Sequence, residues 1–220
     1  MDKRISQAGF LYEQAIFSGD TDPLEEADHG LDGVEADLCL ARGKLMHGRF
    51  LRRRDGDPDS AGKDPGELAL FERAAQLYQG LGDVRGEAEA LFWVGCFHQV
   101  AARDNETAIP VLDRSLELAS QAGDKATMSE ALRHLGIAAH FSGQFETARQ
   151  RLEESTRLRR ELGHLPRVAS NLIGLAYIAV AEGRPEDARS LLDEADEIAA
   201  ATDAARLLAL VNEARAALPG

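Results

Sequence analysis

Apolar residues recur at helical spacing along most of this chain, and the pattern itself repeats about every 40 residues. Its clearest part is an apolar residue followed three positions later by a small one, found at Phe71 and Ala74, Leu112 and Ser115, Leu152 and Ser155, and Leu192 and Ala195. The four small residues are 41, 40 and 40 positions apart. A fixed period of this length is the signature of a stacked repeat architecture. The sequence therefore predicts an all-α solenoid.

A second helical pattern precedes each of these segments. Leu132, Leu135 and Ala139 follow the spacing of 3, 4 and 7 residues that places apolar side chains on one face of a helix. A turn follows each such helix, with Gly143 and Gly183 at positions suited to a helix end. Each repeat is thus predicted to be a pair of helices joined by a short turn.

These residues resemble the tetratricopeptide repeat. Its pattern is matched by Leu132, Leu135, Gly136, Ala139, Ala148, Leu152 and Ser155. The resemblance covers residues 82–200, and the period of 40 is similar to that of a longer-repeat bacterial branch of the family. It implies a right-handed α-solenoid of antiparallel helix pairs, a TPR-like superhelix.

The whole chain, residues 1–220, is predicted to be one solenoid domain. Its expected parts are an orphan N-terminal helix (1–19), a degenerate repeat (31–80) with a mobile insertion (54–66), three repeats (84–122, 125–163 and 166–202), and a capping helix (203–218). The insertion is rich in Asp, Gly and Pro and poor in apolar residues. In the first helix of the degenerate repeat, the stripe expected to enter the core is Leu31, Val34, Leu38, Ala41 and Leu45.

Charge and composition exclude several classes of function. A net charge of −13 disfavours nucleic acid as a partner, because such binding needs a basic surface. The sequence contains no apolar run of membrane-spanning length, so a membrane is not expected either. Only two cysteines are present, without metal-binding spacing, which favours a reducing, cytoplasmic location. The excess of Arg over Lys, with abundant Ala, Gly and Asp, is typical of a GC-rich bacterial genome.

The resemblance implies that the first helix of each repeat lines a concave face. The residues projected onto that face are Met46, His47, Phe92, Cys96, Gln99, Arg133, Ile137, His140, Phe141, Ile173 and Tyr177. This wall is mostly apolar, which suits a peptide or an amphipathic helix of another protein. The first hypothesis is therefore a protein-protein interaction scaffold, and self-association into a homodimer is the alternative use of such a surface.

A small-molecule-binding protein or atypical enzyme is the second hypothesis. It would use His140, Arg133, Tyr177 and His47 in the same groove, for acid-base chemistry or to bind an anion. The sequence has no nucleotide-binding, hydrolase or metal-ligand motif, so no cofactor or metal is predicted and the balance leans away from an enzyme. Cys96, which lies among aromatic residues, is predicted to be a small buried apolar side chain.

Overall fold

Residues in the left-handed backbone conformation end the helices at a regular interval. The computed structural model describes residues 2–56 and 62–218. In it Gly123, Gly163 and Asp203 have φ values of 65°, 71° and 51°, each 40 residues after the last. Gly143 and Gly183, with φ of 73° and 74°, form a second row at the same interval. Glycine adopts this conformation without a steric penalty, so the repeat seen in the sequence is a repeat of helix ends.

The regular secondary structure of the described residues is entirely helical and falls into two compact units, Met1–Ala122 and Gly123–Gly220. The first contains α1 (Lys3–Ser18), α2 (Asp22–Gly56), α3 (Pro65–Leu81), α4 (Val84–Cys96), a π-helical segment (Phe97–Ala101) and α5 (Asn105–Ala122). The second contains α6 (Lys125–Phe141), α7 (Phe145–Glu161), α8 (Leu165–Ala181), α9 (Pro185–Ala201) and α10 (Ala205–Ala216). None of the helices in this described part of the chain combines the length and apolarity that a membrane span requires.

The connection between α2 and α3 is where a mobile insertion, 54–66, was predicted. Residues 57–61 lie outside the described residues. The flanks are ordered, because Arg54 belongs to the last turn of α2 and Asp64 caps α3 by accepting a hydrogen bond from the backbone N–H of Gly66 at 2.9 Å.

The face of α2 that enters the core is not the expected one. Leu31, Leu38 and Leu45 are 39%, 47% and 63% exposed. The buried positions, which face α3, are Ala36, Leu40, Gly43, His47 and Phe50. The reason is close packing: a Cβ atom on Gly43 would lie 2.4 Å from the Phe71 ring, so only the face with this glycine lets α3 approach so closely.

The second unit has a continuous apolar core built from all five of its helices. Leu152 of α7, Ile178 of α8 and Leu192 of α9 are each 1% exposed or less. Val211 of α10 is also fully buried against this core, so the last helix covers its apolar end. This core fixes α6 and α8 in place, and they carry the candidate site.

Candidate functional site

An apolar pocket opens on the face shared by α6 and α8. Its volume is about 330 Å³, and its lining residues are Ile137, His140, Phe141, Leu152, Gly174, Tyr177 and Ile178. α6 and α8 supply the walls, and Leu152 of α7 supplies the floor. Four of the residues projected onto a concave wall, Ile137, His140, Phe141 and Tyr177, thus lie around one cavity. Leu152, Gly174 and Ile178 were not projected onto that wall from the sequence.

Gly174 leaves room in the pocket. A Cβ at this position would lie 3.5 Å from Cδ1 of Leu152, which is an ordinary van der Waals contact. An alanine would therefore fit without moving the helices, and a longer side chain would have to occupy the cavity. The missing side chain is one reason that the cavity exists.

Two aromatic side chains stand at the mouth of the pocket. Phe141 is 77% exposed and Tyr177 is 43% exposed. Exposed aromatic rings beside an apolar cavity are typical of the residues that contribute most to protein-protein binding. Ile173, by contrast, is 7% exposed and belongs to the core of the unit.

His140 brings a polar atom to this apolar site. Its ring packs against the rings of Phe141 and Phe145, with centroid distances of 5.7 Å in both cases. Its Nδ1 is buried and has no hydrogen-bond partner among the described residues. A buried nitrogen without a partner costs about 1–3 kcal/mol. A ligand that reached this nitrogen with a hydrogen-bonding group would recover that energy.

Arg133 lies one turn before Ile137 on α6 and holds α6 to α8. Its Nη1 donates to the backbone oxygen of Ser170 at 3.1 Å and to Oδ1 of Asn171 at 2.9 Å. Burial, together with the nearby charge of Arg159, lowers the pKa of Arg133 to about 10. Its guanidinium therefore acts first as a link between the two pocket helices.

Asn171 is the centre of a buried polar network around Arg133. Arg159 also donates to its Oδ1, at 2.7 Å, and to Glu130 at 2.8 Å. The amide nitrogen of Asn171 donates in turn to Ser155 at 2.9 Å. Asn171 is fully buried and Arg159 is 1% exposed. The network fixes α6, α7 and α8 relative to one another, and thereby the shape of the pocket.

The repeat itself contained a signal for this network. Forty residues before Asn171 and Arg159 stand Ala131 and Ala119, which are fully buried alanines. Asn171 and Arg159 are thus polar residues at positions where the preceding repeat has buried alanines. Two such exceptions in one repeat indicate that the two polar side chains contact each other. Neither residue was predicted from the sequence, because both are exceptions to the repeat pattern rather than parts of it.

The projected residues of the first unit are not among those that line this pocket. Phe92, Cys96 and His47 are 4%, 3% and 5% exposed, so their side chains are inside the core of that unit. Met46 and Gln99 are half-buried. The side-chain amide of Gln99 donates a hydrogen bond to Oδ1 of Asn105 at 3.2 Å.

The structure brings Cys96 and His47 together with Glu67, which was not among the residues projected onto the concave wall. Nδ1 of His47 lies 2.8 Å from a carboxylate oxygen of Glu67, and Nε2 lies 3.8 Å from the sulfur of Cys96. Burial, together with the charge of Glu67, raises the pKa of the Cys96 thiol to about 12. A nucleophilic cysteine needs a lowered pKa and access to substrate. The arrangement is thus a packed, neutral thiol next to a buried His-Glu pair.

Thiol labelling of the native protein should separate the two cysteines. Cys39 is half-buried and Cys96 is buried, and both are free thiols. We expect a thiol reagent such as Ellman's reagent to modify Cys39 in the native state and to reach Cys96 only after denaturation. Burial shields Cys96 from the reagent and disfavours its thiolate, which is the reactive form. Mass spectrometry of the labelled peptides locates the modification, and a Cys39→Ser variant provides the control. Rapid native labelling of Cys96 would show that this part of the core opens.

Among the described residues, no group of three or more His, Cys, Asp and Glu side chains is placed to hold a metal ion. The candidate site of the second unit is an apolar pocket next to the buried Nδ1 of His140. The first unit contains the buried pair of His47 and Glu67.

Comparison with known proteins agrees with the repeat pattern. Residues 94–161 match the tetratricopeptide repeat family. No curated protein is significantly similar to the chain. Among solved structures, a Rap protein complexed with competence and sporulation factor is similar with a TM-score of 0.66 and 15% identity, over 94% of this chain. The chain spans 56% of the length of that Rap structure.

A second solved structure, the nearly identical TPR-like repeats related to kinesin light chain from Podosopora anserina, has a TM-score of 0.53 and 16% identity. The similarity covers 80% of this chain and 88% of that one. These similarities show an all-α, TPR-like solenoid fold. The chain therefore contains a tetratricopeptide-repeat match over residues 94–161 and has a TPR-like solenoid fold.

Proposed function

We propose that this protein is an interaction scaffold that binds a segment of another protein on the face formed by α6 and α8. The observation that carries the proposal is the apolar pocket with Phe141 and Tyr177 at its mouth. A cavity of about 330 Å³ is at the small end of the range of ligand sites, so it accommodates one large apolar side chain of a bound segment.

The neighbouring fold also supports this function. The Rap structure was determined in complex with competence and sporulation factor, so a fold of this kind holds a bound partner in at least one protein. In this chain the bound segment would place an apolar anchor against Leu152 and Gly174, and the two exposed aromatic rings would close over it. His140 would supply one hydrogen bond at the edge of the pocket.

Filling the pocket tests the proposal. We expect that Gly174→Leu weakens binding of a segment by at least about tenfold, because its side chain occupies the cavity that the anchor needs. Gly174→Ala is the matched control, since a methyl group fits in ordinary contact with Leu152. The probes are peptides selected from a random library displayed on phage, and fluorescence anisotropy measures their affinity for the wild type and both variants.

The selected peptides should share one apolar position. Phe141→Asp should weaken their binding, as Gly174→Leu does. Circular dichroism confirms that the variants keep their helices. Equal affinity for the wild type and Gly174→Leu would contradict the pocket assignment, and so would a selection that yields no peptide.

A small apolar molecule with one polar atom is the second candidate ligand, and the partnerless Nδ1 of His140 favours it. The broader constellation of His140, Arg133, Tyr177 and His47 is not part of this proposal, because His47 is paired with Glu67 in the other unit. A small molecule retained in native mass spectrometry and lost in both Gly174→Leu and His140→Phe would favour this candidate over a protein segment.

A further inference from the structure

An exposed apolar stripe runs along α2, and we call it the leucine stripe. Leu24, Leu31, Leu38 and Leu45 stand at every seventh position and are 41%, 39%, 47% and 63% exposed. The residues three positions after each leucine are Ala27, Val34, Ala41 and Gly48, so the spacings along the stripe alternate between 3 and 4. Apolar residues at both alternating positions of a seven-residue repeat are the pattern of a helix that pairs with another helix in a coiled coil.

The opposite face of α2 already has its partner. Ala36, Leu40 and Phe50 are buried toward α3, and α1 packs beside the stripe, where Ala27 is 9% exposed. None of the described helices buries the side chains of the four leucines. Four exposed leucines on one helix form a larger apolar surface than the single apolar side chains scattered over ordinary monomers.

The charges of α2 are divided between its two halves. The first half carries Asp22, Glu25, Glu26, Asp28, Asp32, Glu35 and Asp37, and the second carries Arg42, Lys44, Arg49, Arg52, Arg53 and Arg54. This division suits the dipole of the helix itself. It also makes α2 complementary to a second copy of itself in antiparallel orientation, since each acidic half would then face a basic half.

We propose that the protein forms a homodimer in which the leucine stripes of two copies pair in antiparallel orientation. This proposal is independent of the pocket in the second unit. A two-fold axis near Ala36 places three of the leucines opposite a smaller residue of the other copy. The pairings are Leu24 with the partner's Gly48, Leu31 with the partner's Ala41, and Leu38 with the partner's Val34, and the two-fold axis makes each of them occur twice. Ala27 is already buried beside α1, so Leu45 has no such pairing.

The flanking charges agree with this register. Asp28 and Arg42 are both exposed and border the leucine stripe on the same side. Antiparallel pairing brings Asp28 of each copy near the partner's Arg42, which gives two equivalent ion pairs. Glu35 would lie near the two-fold axis, and its charge is already balanced by Arg73, which donates to it at 2.7 Å and 3.1 Å.

The size of the surface suits a stable dimer. Leu24 and Leu45 are 21 residues apart, which is about 32 Å along a helix. α1 packs against α2 and has exposed Ile5, Tyr12 and Ile16 of its own. A contact surface that spans both helices is about 20 Å wide, so a dimer that used it would bury roughly 1,300 Å² in total. That value lies within the range of standard protein interfaces.

Sedimentation equilibrium of the full chain tests the proposal over a wide range of concentration. The wild type should have twice the 23.8 kDa mass of one chain, and Leu31→Asp and Leu38→Asp should each have the mass of one chain. These side chains are exposed, so circular dichroism should show unchanged helix content. Phe141→Asp, which replaces an exposed apolar residue in the other unit, is the control that should stay dimeric.

A charge exchange tests the orientation. Asp28→Arg and Arg42→Asp should each weaken the dimer by about tenfold, and the double variant should restore the wild-type dissociation constant. A wild type that stays monomeric at every concentration, or a Leu38→Asp variant that stays dimeric, would overturn the proposed interface. A double variant weaker than either single one would overturn the antiparallel arrangement.

Discussion

Replacing Asn171 by alanine is expected to lower the free energy of unfolding by about 3 kcal/mol, because the buried guanidinium group of Arg159 and the half-buried one of Arg133 then lose their shared acceptor. Arg133 and Arg159 donate to the same Oδ1 atom at 2.9 Å and 2.7 Å. Burial lowers the pKa of each to about 10, so both still carry a charge at neutral pH. The charge of Arg159, which is 1% exposed, cannot move to water without disturbing the contacts of α6, α7 and α8.

Urea denaturation at neutral pH measures this effect. Asn212→Ala, at an exposed position of α10, is the matched control and should change the free energy of unfolding by less than about 0.5 kcal/mol. The double variant Asn171→Ala with Arg159→Ala should lose less stability than the sum of the two single variants, because it also removes one of the buried charges. Additive losses would mean that the network is not a coupled unit.

The second large effect is expected at the buried pair of the first unit. Glu67→Ala should lower the free energy of unfolding by about 3 to 4 kcal/mol, since it leaves His47 buried without its partner and creates a cavity. Glu67 is 1% exposed and lies 2.8 Å from His47. Glu67→Gln keeps the shape and a hydrogen-bonding group, so it should lose less stability.

Glu72→Ala, an exposed position on the same helix, is the control for the loss of a carboxylate. Thermal unfolding followed by circular dichroism ranks the variants, and thiol labelling of Cys96 reports whether the core around His47 has opened. A Glu67→Ala protein as stable as the Glu72→Ala control would show that the buried pair contributes nothing net to stability.

Part of the candidate site could be predicted from the sequence, because it depends on spacing along single helices. Ile137, His140 and Phe141 of α6 occur together on one helix face, and all three line the pocket. The floor, Leu152, comes from a different helix, and no local pattern distinguishes it from the other buried leucines. Which residues border the same cavity depends on how three helices pack.

The first unit shows the limit of the same reasoning. Phe92 and Cys96 have the helix spacing expected of a surface groove, but their side chains are buried. Glu67 and Cys96 approach His47 from positions 20 and 49 residues away in the chain. Periodicity does not determine contacts over such separations, because it records only which residues share a face.

The sequence by itself determined the helices, the 40-residue repeat and the all-α solenoid fold, because a helix face and a helix-ending glycine are set by residues close together in the chain. Only the tertiary structure decided which of two apolar stripes of α2 is buried. Both stripes have helical spacing, and the close approach of Phe71 to Gly43 selects one of them. The other, with its four leucines, remains at the surface, since burial depends on which distant helix arrives at a face and on whether its side chains fit there.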